Sequence, residues 1–159
     1  MIILGIDPGT RCGWAVRHVD GRIDSGTWNL APRRFEGGGM RFLRLRGYLA
    51  EVLDRAQPGM VVFEEVRRHL GTDAAQIYGG VIAIVQEECE RRCIPYQGIP
   101  VGTVKRTATG KGNADKDAMI AAANRQWGLH LGKKDDNEAD ARWIAETAAI
   151  EQAIEAAGA

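Results

Sequence analysis

Carboxylate side chains follow two short apolar runs of the sequence and recur near its carboxyl end. Asp7 follows the run MIILGI, and Glu64 and Glu65 follow the run MVVF. A third group of acids lies in the stretch DDNEAD, residues 135–140. Hard divalent cations take oxygen ligands, and two Mg²⁺ ions about 4 Å apart activate a water and stabilise the leaving oxygen of a phosphodiester. If the fold brings these acids together, they predict a metal-dependent phosphodiester hydrolase.

For the acids that follow the apolar runs, the alternative is an ordinary turn or a solvent-facing strand end. Asp7 and the Pro-Gly pair after it fit a plain turn as well as a metal site. Side chains alternate across a strand, so only one of Glu64 and Glu65 can reach a shared site. The other is expected to face solvent or to pair with Arg67 or Arg68. Acids clustered without a cation raise one another's pKa, which favours the metal site over structure.

Helix capping explains most acids of the third group. Asp135 and Glu138 fit a capping box, and Asp136 suits the positive end of a helix. Asp140 has no such explanation, because it lies past the first helical turn between two alanines. Asp136 lies four residues and Asn137 three residues before Asp140, so either shares a helix face with it.

Basic residues surround the glycine-rich stretch TGKGNAD, residues 109–115. Lysine offers a point charge to phosphates, and glycine lets the backbone approach them. A solvated loop is the alternative, and the stretch lacks the spacing of a Walker phosphate loop. The predicted DNA-binding residues are all basic: Lys105, Lys111, Lys116, Arg67 and Arg68.

Other evidence for nucleic-acid binding is weaker. Trp28, Phe35 and Tyr78 are candidates for stacking on unpaired bases, although aromatic residues are more often part of the core. The net charge is zero, from 21 basic and 21 acidic residues, which does not indicate nucleic-acid binding by itself. Any such binding must therefore come from a local basic face.

The apolar pattern predicts the elements that position these side chains. Strands are expected at residues 1–7, 12–19, 21–30, 60–66 and 94–99, with a hairpin turn at Asp20 and Gly21. Helices are expected at residues 40–56, 72–92, 101–108, 114–127 and 135–156, with Thr72 or Asp73 capping the second. This order predicts an α/β protein, with a mixed five-stranded sheet and helices on both faces.

Composition restricts the class of protein further. The 159 residues, 45% of them hydrophobic, fit a single domain, residues 1–159. No apolar run approaches the roughly 18 residues of a membrane span, and no secretory signal is visible, so we expect a cytoplasmic location and no membrane partner. Cys12, Cys89 and Cys93 are expected to be buried or free thiols, with a metal pair of Cys89 and Cys93 as the alternative.

Four segments, in order, resemble the RuvC family of Holliday junction resolvases: ILGIDPGTRCGWAV, VVFEEV with the later GTDAAQIYGGVIAI, GIPVGTVKRTATGKGNADKDAM, and DDNEADARWIA. The resemblance covers residues 1 to about 148 and is closest to the shorter forms of phages and prophages. It implies a ribonuclease H-like fold, a homodimer and paired nicking of branched DNA, the four-way junction. It also implies two Mg²⁺ ions per active site, with Mn²⁺ as a substitute.

The resemblance also implies the site residues. The family has four acids, which hold the metal and are catalytic. Three of them match Asp7, Glu64 and Asp140, and two positions are candidates for the fourth. The bacterial housekeeping pattern has an acid at the position of Asn137, whereas some relatives use the position of Asp136, which we select. Functional lysines of the family match Lys105 and Lys116, and Lys116 is counted with the catalytic residues. The long helix at residues 72–92 is the candidate dimer interface.

Three other interpretations share parts of the pattern. GIDPGT also resembles the phosphate loop of actin-like ATPases, but 159 residues are too few for their two domains. It resembles equally the YqgF-type nucleases, which are implicated in ribosomal RNA processing. The long helix at residues 72–92 and the late DDNEAD argue against that family. A non-catalytic branched-DNA-binding module of the same fold is the third, favoured by Asn137 and opposed by the otherwise intact acids.

Overall fold

The computed structural model describes residues 1–68 and 71–159. Every predicted strand and helix is present within a few residues of its expected bounds. The strands are β1 (Ile3–Asp7), β2 (Arg11–Arg17), β3 (Ile23–Asn29), β4 (Met60–Glu65) and β5 (Tyr96–Pro100). The helices are α1 (Met40–Ala56), α2 (Thr72–Arg91), α3 (Val101–Thr109), α4 (Lys116–Trp127) and α5 (Asp136–Gly158).

The strands form one mixed sheet in the order β3-β2-β1-β4-β5, which confirms the predicted architecture. β1 pairs antiparallel with β2 and parallel with β4, and β4 pairs parallel with β5. The predicted hairpin joins β2 to β3, and Gly21 takes a positive φ of 86° in its turn. β1, β3, β4 and β5 therefore end, and β2 begins, at one end of the sheet, which we call the carboxyl end.

Helices cover both faces of the sheet, as predicted. On one face, α1 and α2 pack against the strands in a cluster that includes Leu4, Leu45 and Val85. On the other face, α3, α4 and α5 pack in a second cluster that includes Ile3 and Ile144. Consecutive residues of β1 thus enter different cores, which is why this strand is apolar throughout.

Helix α5 lies directly against β1 and β2 because two glycines leave room for its backbone. A β-carbon built on Gly13 would overlap the carbonyl oxygen of Asn137, and one built on Gly5 would lie 2.6 Å from the carbonyl oxygen of Ala141. Gly13 pairs with Asp7 across the β1–β2 ladder. The first turns of α5 therefore pass over the carboxyl end of β1.

The cap of α2 and the first residue of α4 differ from the prediction. The N-cap of α2 is Gly71, which makes no side-chain cap, so the predicted cap at Thr72 or Asp73 is wrong. α4 begins at Lys116, later than predicted, because the Asp115 side chain is the N-cap and accepts from the third residue of the helix at 2.8 Å. This cap places Lys116 in the first turn of α4.

The remaining expectations concern cysteines and membranes. Cys12 and Cys89 are buried and Cys93 is exposed, and all three are free thiols. Among the helices that the structure describes, none has the length and apolar character needed to cross a membrane.

Candidate active site

Asp7 and Glu64 end neighbouring parallel strands and project from the same face of the sheet. Gly5 of β1 contacts α5, and Asp7, two residues later, shares its face. Val62 of β4 packs in the core beneath α5, and Glu64 in turn shares the face of Val62. The pleat therefore directs both carboxylates towards α5, as a shared site requires.

Glu65 takes the other face, which confirms the expected alternation. Its carboxylate lies 3.8 Å from Nε of Arg67, one of the two partners predicted for it. Arg68 is exposed immediately after Arg67. The two arginines thus follow β4 at the carboxyl end of the sheet.

The acids of α5 complete an electrostatic cluster with the strand ends. Burial raises the pKa of Asp7 well above its ordinary value, and the charges of Asp140, Glu64 and Asp136 raise it further. Burial, followed by the charges of Glu64 and Asp136, raises the pKa of Asp140 to about 7. Burial also raises the pKa of Glu64. The structure therefore brings all four predicted acids within electrostatic range of one another.

Two of the predicted lysines lie beside these acids. Nζ of Lys116 donates to Oδ2 of Asp136 at 2.5 Å, and this hydrogen bond raises the pKa of Lys116. The charge of Lys105 lowers the pKa of both Glu64 and Asp140, against the effect of burial. Lys111, in contrast, lines a groove with residues of the α4 surface.

The acids as placed do not yet form a metal cage. In residues 1–68 and 71–159, no group of three or more histidine, cysteine or acidic side chains is arranged to hold a metal ion. Lys116 engages the carboxylate of Asp136 instead. The chemistry of the cluster nevertheless fits a hard cation, because it consists of oxygen ligands whose ionised forms repel one another. A divalent cation would offset that repulsion more strongly than the lysines do.

The predicted capping box at the start of α5 is wrong. The Asp135 carboxylate accepts from the backbone of the preceding loop, and Glu138 forms a 2.5 Å hydrogen bond with the hydroxyl of Ser25 on β3. The same hydroxyl accepts from Nε of Arg142 at 2.7 Å, and Arg142 also donates to the carbonyl of Ile23. These contacts tie the helix that carries Asp136 and Asp140 to an edge strand, and no local sequence pattern indicated them.

Two of the three aromatic candidates have structural roles. Trp28 is buried between Trp14 and Tyr48, with ring centroids 5.8 and 5.7 Å away. The alternative interpretation of Trp28, as a residue of the core, is therefore correct. The hydroxyl of Tyr78 donates to the carbonyl of Glu64 at 3.0 Å and accepts from the following backbone N–H of Val66 at 3.1 Å. Tyr78 thereby fixes the end of β4, a role that the sequence did not indicate.

Comparison with known proteins identifies the family. The model described as crossover junction endodeoxyribonuclease RuvC matches residues 3–148. A protein of that name from Anaeromyxobacter sp. (strain Fw109-5) is 35% identical over 87% of this chain and 69% of its own length. The protein of that name from Synechococcus sp. (strain CC9311) is 31% identical over 92% of this chain and 97% of its own length.

A solved structure agrees with the sequence matches. The structure described as T. thermophilus RuvC in complex with Holliday junction substrate superposes with a TM-score of 0.83 at 26% identity, covering 98% of this chain and 96% of that one. The expected ribonuclease H-like fold is thereby confirmed. RuvC-family nucleases depend on a metal, in agreement with the carboxylate cluster. The chain belongs to the RuvC family of crossover junction endodeoxyribonucleases.

Proposed function

We propose that the protein is a homodimeric endonuclease that resolves four-way DNA junctions by paired nicks, each made by hydrolysis of a phosphodiester. The observation that carries this proposal is the cluster of carboxylates from β1, β4 and α5 beside two lysines, in a chain of this family. The junction bound by the T. thermophilus relative supports the choice of substrate. Other branched DNA, such as forks and flaps, belongs to the same substrate class.

We further propose that Asp7, Glu64, Asp136 and Asp140 hold two Mg²⁺ ions, for which Mn²⁺ substitutes. When bound, the ions activate a water and stabilise the leaving oxygen. The acids supply the charge that retains them. We infer that Lys116, whose Nζ lies 2.5 Å from the carboxylate of Asp136, contacts the scissile phosphate and is the catalytic lysine of the set.

The remaining basic residues are proposed to bind DNA. Lys105 lies near Glu64 and Asp140, so we infer that it contacts a phosphate close to the scissile bond. Arg67 and Arg68 follow β4 at the carboxyl end of the sheet, beside the acids. Lys111 is proposed to contact a phosphate farther along the duplex.

Three broader features are part of the proposal. Residues 1–159 form one domain, supported by two cores that share one sheet. The dimer forms through α2, supported by the exposed face of this helix that carries Gly79, Ala83 and Glu87. We also propose that the protein is located in the cytoplasm, because its proposed substrate is DNA.

The test is incubation of the purified protein with a mobile four-way junction and Mg²⁺. Paired symmetric nicks that disappear without metal support the proposal. Binding without nicks would favour the non-catalytic module, and cleavage of structured RNA in preference to the junction would favour a YqgF-type nuclease.

The first prediction identifies the fourth ligand. We expect Asp136→Ala to lower the nicking rate at least about 100-fold, because the variant lacks a charged ligand. Asn137→Ala should stay within a few-fold of wild type. The support is electrostatic, since Asp136 raises the pKa of both Asp7 and Asp140. Single-turnover nicking at several Mg²⁺ concentrations measures both variants, and the reverse order of effects would move the ligand to Asn137.

The second prediction concerns the lysines. Because net charge is zero, DNA binding depends on local ion pairs with phosphates, and removing one such pair should reduce the slope of log affinity against log salt by about 0.9. We expect Lys105→Ala and Lys116→Ala to weaken junction binding and to make its salt dependence shallower. Arg22→Ala, on the hairpin at the opposite end of the sheet, is the control. Unchanged slope and affinity in both lysine variants would exclude these ion pairs with phosphates.

A further inference from the structure

The loop between β3 and α1 holds a phenylalanine in solvent. Phe35 is 92% exposed, the largest exposed fraction of any bulky apolar residue in the described chain. A loop that merely tolerated an apolar side chain would be expected to let it fold back onto the surface. The arrangement around Phe35 is instead built from specific polar contacts.

An ion pair fixes this loop. Arg44 of α1 donates to both carboxylate oxygens of Glu36, each at 2.6 Å, and to the carbonyl of Ala31 at 3.2 Å. The Glu36 carboxylate also accepts from the backbone N–H of Arg33 at 2.8 Å. The residues on both sides of Phe35 are therefore anchored, and the ring points outwards from an ordered turn.

The loop also lies at the same end of the sheet as the acids. It leaves β3 at the carboxyl end, where the backbone N–H of Leu30 donates to the carbonyl of Thr10 at 2.8 Å. Arg41 donates to the hydroxyl of Thr10 at 3.2 Å. Thr10 belongs to the turn that directly follows Asp7, so these contacts dock the loop beside the active-site strand.

A groove connects the two regions. One part is lined by Thr10, Tyr78 and Ile77, and the adjoining part by Ile77, Gly38 and Arg41. The groove thus runs from the turn after Asp7 along α2 to the foot of the Phe35 loop. A DNA strand that enters the active site at Asp7 can follow these two adjoining depressions, which share Ile77, as far as Gly38 in the loop that holds Phe35.

The charge around the ring favours nucleic acid over a second copy of the chain. Residues 31–46 contain five arginines and a single acid, Glu36. The guanidinium of Arg34 lies 5.2 Å from the centroid of the Phe35 ring, and Arg33 is exposed next to it. A self-complementary interface would bring this positive segment, or much of it, against positive charge of the partner. An aromatic ring among arginines is suited to a base and its flanking phosphates.

We propose that Phe35 stacks on a base left unpaired at the branch point of the DNA substrate, while Arg33 and Arg34 bind the phosphates beside it. This proposal rests on the proposed function and adds a residue that distinguishes a branch point from continuous duplex. In a duplex every base is already stacked, so the ring gains little. At a branch point an unstacked base is available, and the ring covers its face.

The test uses Phe35→Ala with Phe35→Trp as the rescue variant and Val19→Ala as the matched control. Val19 is 71% exposed on the hairpin at the opposite end of the sheet. Binding is measured with Ca²⁺, to a four-way junction and to a duplex of equal length, each carrying 2-aminopurine at the centre. We expect Phe35→Ala to weaken junction binding about 10-fold, the range for removal of one base–aromatic stack, and to leave duplex binding unchanged.

Two further readouts separate stacking from charge and from assembly. The 2-aminopurine signal at the branch point should change on binding of wild type, Val19→Ala and Phe35→Trp, but not of Phe35→Ala. The salt slope should be unchanged in Phe35→Ala and reduced in Arg34→Ala, because only the arginine is paired with a phosphate. Since Phe35 is exposed, loss of folding does not complicate the comparison.

The outcomes distinguish this proposal from the proposed function. If wild type neither prefers nor nicks the junction, the proposed function fails, and this inference with it. If wild type nicks the junction and Phe35→Ala matches it in affinity and in 2-aminopurine signal, only the inference is overturned. A Phe35→Ala variant that sediments as a monomer, where wild type is a dimer, would assign the ring to the subunit interface and also overturn it.

Discussion

Replacing Asp140 with asparagine is expected to abolish nicking and, at the same time, to stabilise the metal-free protein at pH 8. Asp140 is half-buried on α5, and burial with the charges of Glu64 and Asp136 raises its pKa from 3.8 to about 7. At pH 8 the metal-free protein must therefore keep this carboxylate ionised against both effects. An amide carries no charge, so the variant avoids that cost but lacks a proposed ligand.

The direction of the pH dependence follows from the raised pKa. Between about pH 4 and pH 7 the folded protein keeps a proton on Asp140 that the unfolded chain has released, so the free energy of unfolding falls as pH rises. Well above pH 7 Asp140 is ionised in the folded protein too, so its contribution no longer lowers the free energy of unfolding as pH rises further. We expect Asp140→Asn to be more stable than wild type by up to about 4 kcal/mol at pH 8, because each unit by which the pKa is raised costs about 1.4 kcal/mol, and this advantage to vanish near pH 4.

Denaturant unfolding in the presence of a chelator, from pH 4 to pH 8, measures this difference. Junction nicking with Mg²⁺ should fall by at least about 1,000-fold in the same variant. Asp54→Asn, which removes an exposed carboxylate on α1 together with its surface ion pair to Arg92, is the control and should alter stability by less than about 1 kcal/mol. An Asp140→Asn variant that is less stable than wild type at every pH would show that the carboxylate has a stabilising structural partner and is not held against repulsion.

Gly13→Ala is expected to damage both stability and activity, although residue 13 carries no functional group. Its β-carbon would overlap the Asn137 carbonyl oxygen and lie 2.6 Å from the carbonyl carbon. Both atoms belong to the backbone of α5, so the helix itself must move. We expect the free energy of unfolding to fall by about 3 kcal/mol and nicking by about 100-fold or more, because Asp136 and Asp140 move with the helix.

Gly47→Ala is the matched control for this substitution. Gly47 lies within α1, and a β-carbon there meets nothing within 4 Å. Alanine should stabilise that helix by about 0.5–1 kcal/mol and leave nicking unchanged. Thermal unfolding and single-turnover nicking provide the comparison. Full activity in Gly13→Ala would mean that the acids do not depend on the close approach of α5 to the sheet.

Local patterns were sufficient to predict the elements of this protein and most of its candidate acids. The apolar runs that end at Asp7 and Glu64 are buried on both sides, and such strands are recognisable because their composition differs from that of loops. Asp140 was identifiable because a charge in the middle of an alanine-rich helix needs a partner. The mixed five-stranded sheet was predicted from a meander followed by alternating strands and helices, whereas its strand order came only from the structure.

Predictions failed where a distant residue competed with a local partner. Glu138 was predicted to cap its own helix, but its carboxylate is taken by Ser25, which lies 113 positions earlier in the chain. The cap of α2 was placed on a side chain, whereas Gly71 occupies that position without one. A tertiary contact thus replaced the local cap at Glu138, whereas α2 begins after the backbone of Gly71 without any side-chain cap.

The sequence by itself thus determined the strands, the helices and the acidic residue types available for chemistry, because hydrophobic periodicity and turn residues act over a few positions. Only the tertiary structure decided which carboxylates share a site. Glu64 rather than Glu65 faces α5 because Val62 packs beneath that helix, and α5 reaches Asp7 because Gly13 leaves room for its backbone. Which face of a strand is buried, and how closely a helix approaches it, depend on contacts between segments that are far apart in the chain.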